Sequence, residues 1–99
     1  MASREFQSLR ALLPNVLVRL ARERGDGAGL ANLWRELAGP HLARAAVPVR
    51  LEGTALVIRP VDAAWARELA GHMEVLGARA RELTLGEVLT VRLAWGDPP

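Results

Sequence analysis

The chain of 99 residues has no cysteine, no lysine and no tyrosine, and only one phenylalanine. Without cysteine there are neither disulfides nor thiolate metal ligands, and two histidines in separate segments, His41 and His72, make a poor metal site. The shortage of rings leaves little on which unpaired bases could stack. No apolar run approaches the ~18–20 residues that span a bilayer, and the first ten residues lack the apolar stretch of a signal peptide. A soluble, cytoplasmic domain is expected. There is no serine beyond Ser3 and Ser8, the acids are scattered without a partnered nucleophile, and the glycines at 25, 27 and 29 follow no strand and precede no Walker lysine. An enzyme, a cofactor, a metal and a small-molecule substrate are therefore all set aside.

What is present centres on residues 47–69. Val47, Val49 and Leu51 alternate with Pro48 and Arg50, then Leu56 and Ile58 alternate with Val57 and Arg59, which predicts two strands with one apolar face each. Glu52-Gly53 supplies the turn, because Gly53 can take the positive φ that a short hairpin loop demands. Asp62 can cap a helix starting near Ala63, and that helix carries Trp65 and Leu69 on the side that would cover the hairpin.

Before this centre, Leu9, Leu12, Leu13, Val16, Leu17 and Leu20 form a helical stripe. Pro14 within it means either a kink or a start near Leu13. Residues 25–29 read as a flexible link. A second helix is expected over residues 30–38 with Leu30, Leu33, Trp34 and Leu37 on one face, stopped by Gly39-Pro40 and followed by one short turn. After the centre, a single helix is expected over residues 63–82, with Trp65, Leu69, Met73, Leu76, Ala80 and Leu83 buried. A last strand over residues 88–95 would turn Leu89, Val91, Leu93 and Trp95 to one side. Residues 1–8 read as an N-terminal arm and residues 9–96 as one domain.

The order is α-α-β-β-α-β, an α+β fold with a three-stranded sheet and helices packed on one face. The other face would be open, and each strand gives it one arginine: Arg50, Arg59 and Arg92. The charge is uneven. Residues 1–50 carry eight arginines against four acids, a net +4, and residues 51–99 carry five against seven, a net −2. Two groups can therefore meet an anionic partner: the sheet trio, expected to form the core of the nucleic-acid surface, and Arg10, Arg19, Arg22 and Arg24 on the first helix and its end, steering from the side, with Arg19 and Arg22 partly neutralised by Glu23 and Asp26 one turn away. Against both stands the reading that a lysine-free chain fills exposed positions with arginine. Any nucleic-acid binding is expected to be weak and electrostatic.

The residues Trp34-Arg35-Glu36-Leu37-Ala38-Gly39, Pro48-Val49-Arg50-Leu51, Gly53, Leu56, Ile58 and Trp65-Ala66-Arg67-Glu68-Leu69 together resemble the DciA family of bacterial replication proteins. The spacing matches from Trp34 through Gly39 to Trp65. The resemblance implies a K-homology-like domain that acts with the DnaB-type replicative helicase, helps it onto DNA and binds single-stranded or duplex DNA at the nucleoid. The family-motif positions Trp34, Gly39, Pro48, Gly53, Trp65 and Leu69 read as mainly structural. The chain departs from the pattern in having Ala45-Ala46 where many members have His-Thr, and in having no Gly-x-x-Gly pair. The alternative function is a general single-stranded DNA- or RNA-binding module with no tie to the helicase.

Overall fold

A computed structural model describes residues 14–24 and 27–94. They form α1 (Pro14–Arg24), α2 (Gly27–Ala43), β1 (Ala46–Glu52), β2 (Ala55–Pro60), α3 (Ala63–Ala70), α4 (Met73–Leu83) and β3 (Thr90–Leu93). The proposed arm at residues 1–8, the stripe positions Leu9, Leu12 and Leu13, and Arg10, Asp26 and Trp95 lie outside the described residues. The class is the expected α+β, with the helices packed against a three-stranded sheet.

Pro14 stands in the first turn of α1, where its missing N–H costs nothing. Gly27 and Gly29, expected in a link, belong instead to the start of α2. Each glycine there weakens the helix by ~1 kcal/mol. Burial of Leu30, Leu33, Trp34 and Leu37, all 7% exposed or less, outweighs that cost. Gly39 breaks the helix as expected: its φ of 79° and ψ of 168° suit glycine alone, and Pro40 then opens one last turn to Ala43. The Trp34 indole reaches across this break. Its Nε1 donates to the carbonyls of Ala43 and Ala46, both at 3.1 Å, tying the end of α2 to the first residue of β1.

The sheet order is β1-β2-β3, with β1 antiparallel and β3 parallel to β2. The parallel pairing requires a long crossover, which α3 and α4 provide. In β1 the strict alternation predicted for Val47, Val49 and Leu51 fails. The ladder pairs Pro48 with Ile58 and then Arg50 with Val57, so Val49 is the extra residue of a β-bulge. The bulge reverses the facing of everything before it. Val47 pairs with Arg59 on the open side and is 57% exposed, while Ala46 turns inward and is buried. Leu51, Leu56 and Ile58 face the core as expected; Gly53 holds the turn at φ 59°, but the turn is Gly53-Thr54 rather than Glu52-Gly53, because Glu52 still pairs with Ala55 in the ladder.

The helix predicted over residues 63–82 is two helices. Gly71 and His72 interrupt it, with no side-chain cap at His72. The low helical propensity of glycine lets the chain turn there so that both halves pack on the sheet. Asp62 caps α3 as read, its Oδ1 accepting from the Trp65 N–H at 2.8 Å. The stripe is right in its residues: Leu69, Leu76 and Ala80 are buried, with Trp65, Met73 and Leu83 packed partly buried beside them.

β3 is shorter than predicted and its lead-in is out of phase. Val88 is fully buried and Leu89 is 41% exposed, because the alternation begins only where the ladder does, at Thr90. Thr84 explains the shift. Its hydroxyl donates to the Ala80 carbonyl at 2.6 Å and accepts from the Val88 N–H at 2.9 Å, which closes the turn after α4 and pulls Val88 into the core.

Candidate nucleic-acid interface

Pleating and register place Arg50, Arg59 and Arg92 on one face, away from the helices. Arg50 and Arg92 both stand beside Val57, one on each neighbouring strand, while Arg59 lies two residues further along β2. That puts Arg59 about 7 Å along the strand from the Arg50–Val57–Arg92 rung. All three arginines are exposed, yet Val57 between two of them has no exposed surface. The structure thus brings the trio onto the surface proposed for it.

The surprise on this face is Glu52. Sequence reading gave it only a place in the turn, but its carboxylate joins both arginines of the rung, one oxygen taking Arg50 Nε and the other a terminal nitrogen of Arg92. The Arg50 hydrogen bond first, and then that of Arg92, hold the Glu52 carboxyl below the usual carboxylate range. A depressed carboxylate adds stability above its ordinary pKa and loses it as pH falls through the lowered value, so this bridge is intact at neutral pH and opens only in acid. The i, i+2 spacing of Arg50 and Glu52 on a strand was a signal for half of the bridge. The other half, to Arg92, follows from the parallel register, which sequence does not show. Among the described residues, Arg59 makes no ion pair.

The helix group has a different fate. Glu87, in the loop before β3, takes the place expected for Glu23: its Oε1 lies 3.4 Å from Arg19 Nε and 3.3 Å from an Arg22 terminal nitrogen. Arg22 also donates to the Gly53 carbonyl at 3.1 Å and the Glu87 carbonyl at 2.7 Å. One guanidinium therefore joins α1, the hairpin turn and the loop into β3, a structural duty for a residue first considered as a phosphate contact. Arg22→Ala should lower stability by about 1–2 kcal/mol, the ~1.5–3 kcal/mol of hydrogen bonds from a charged group reduced by the exposure of Arg22, whereas Arg19→Ala should cost under ~0.5 kcal/mol as a lone exposed pair. Urea denaturation of the two variants checks this, and equal shifts in midpoint would contradict it.

The family-motif positions serve backbone and core. Trp34 and Leu69 are buried, Gly39 and Gly53 hold positive φ, and Pro48 pairs with Ile58 beside the bulge. Trp65 is only partly buried, and its ring meets that of His41 in a T-shaped contact at a centroid distance of 5.5 Å. Among the described residues no three His, Asp or Glu side chains gather as metal ligands, and no helix is long and apolar enough to cross a membrane. An open depression lined by Leu17, Asn32, Arg35, Glu36, Gly39 and Pro40 holds no nucleophile beside a base. What the geometry offers is charge on a sheet face.

The family model described as "Dna[CI] antecedent, DciA" matches residues 8–93, most of the chain. No curated protein and no solved structure matches.

Proposed function

The chain belongs to the DciA family, and from that premise we propose that it is a non-enzymatic adaptor of DNA replication that helps recruit or load the DnaB-type helicase onto DNA. The family match over residues 8–93 carries this reading. The open sheet face supplies the contact with DNA, through Arg50, Arg59 and Arg92. We also read the element order as K-homology-like. Nucleic-acid-binding domains of that kind clamp backbone nucleotides with a Gly-x-x-Gly loop. The corner between α3 and α4 is only Gly71-His72, so phosphate contacts fall to the sheet arginines instead. The protein acts in the cytoplasm, at the nucleoid.

The test is co-purification of the chain with the DnaB-type helicase, with and without nuclease. A stoichiometric complex that survives nuclease supports the adaptor. Binding to single-stranded DNA or RNA without any helicase complex would replace it with the general nucleic-acid-binding module.

A further inference from the structure

Two guanidiniums on separate strands converge on one anion in this fold. Arg50 and Arg92 flank Val57 in register, and each gives a hydrogen bond to a different oxygen of the Glu52 carboxylate. A phosphodiester offers the same pair of charged oxygens, and arginine binds carboxylate and phosphate with the same donor geometry. We propose that Arg50 and Arg92 form a clamp for one backbone phosphate of single-stranded nucleic acid, and that Glu52 fills the clamp in the free protein as an internal competitor. This rests on reading the sheet as the nucleic-acid face.

The supports around the clamp decide what moves. Arg22 pins the Gly53 carbonyl to α1 and to Glu87, so the hairpin turn next to Glu52 is anchored. β1 and β3 are fixed by their ladders to β2. Glu52 itself is half-exposed, with a side-chain exposure of 37%. A rotation of the Glu52 side chain toward solvent is therefore enough to vacate the clamp without moving the backbone. Arg59, further along the same face and unpaired among the described residues, is placed to take the next phosphate.

The competition makes an unusual forecast, that removing a residue from the surface strengthens binding. Glu52→Gln should keep the melting temperature within a few degrees and bind a dT15 oligonucleotide roughly three- to tenfold more tightly at low salt, the scale of one or two exposed ion pairs. Its salt dependence should be steeper by about 0.7, for the one phosphate newly engaged. The Hε signals of Arg50 and Arg92 should shift on titration with dT15, and more readily in the variant. Inorganic diphosphate serves as a second probe of the same signals. If diphosphate moves both signals in Glu52→Gln while dT15 binds neither protein, the clamp stands and the nucleic-acid reading fails. If dT15 binds both proteins equally, with the two Hε signals unmoved, the clamp is wrong and DNA is held elsewhere on the protein. Silence of both signals toward both probes overturns the clamp as well.

Discussion

Trp34→Ala is expected to bring the domain close to unfolding. The side chain is 2% exposed, and its indole N–H is shared by the Ala43 and Ala46 carbonyls. Truncating a buried aromatic costs ~3–5 kcal/mol. The two carbonyls left without their donor add to that. Against a total of ~5–15 kcal/mol for a domain, little remains. The melting temperature should fall by roughly 15 °C or more. Trp34→Phe separates the two contributions, since it keeps most of the apolar volume and loses only the hydrogen bonds, for a cost of about 1–2 kcal/mol. Trp65→Ala should be milder than Trp34→Ala, because Trp65 sits at the margin of the core beside His41. A Trp34→Ala protein melting within a few degrees of the parent would contradict the clamp between α2 and β1.

The second large effect is on DNA. Replacing Arg50, Arg59 and Arg92 together by alanine should lower affinity for single-stranded DNA more than tenfold at low salt, and reduce the salt slope by about 1.4, with one phosphate in the Arg50–Arg92 clamp and the next at Arg59. Alanine is the informative substitution here. Reversal to glutamate would gather new carboxylates around Glu52 and confuse lost contacts with repulsion. The fold should survive, since the side chains of all three project from the exposed side of the sheet. The comparison is with Arg19→Ala/Arg22→Ala, which should lose stability through the Glu87 contacts and keep most of the binding. If the helix pair abolishes binding and the sheet triple does not, the nucleic-acid surface lies on α1.

These two experiments bear on what can be read from residues alone. Much that short-range rules govern was legible: the positive φ at Gly53, the cap at Asp62, the break at Gly39, and the apolar stripes of α2, α3 and α4. The facing of Arg50, Arg59 and Arg92 was also right, although at Arg50 the reason was incomplete. Strict alternation and the bulge give the same side for Arg50 and Leu51 and opposite sides for Ala46, Val47 and Pro48, so only the residues before Val49 betray the extra one. The split at Gly71-His72 was hidden because the apolar stripe runs through it unbroken. Glu87 as the partner of Arg19 and Arg22, and Arg92 as the second partner of Glu52, depend on contacts between distant parts of the chain, for which no local pattern exists.

The bulge in β1 has one more effect. β1 lies at the edge of the sheet, where a row of free backbone donors and acceptors would invite a strand from another molecule. Val49 breaks the regularity of that row in its middle, and Pro48 beside it has no N–H to offer. A foreign strand laid along this edge would lose its ladder within a few residues. The exposed Val47 at the same place is thereby kept from seeding sheet-to-sheet association with a second copy of the chain.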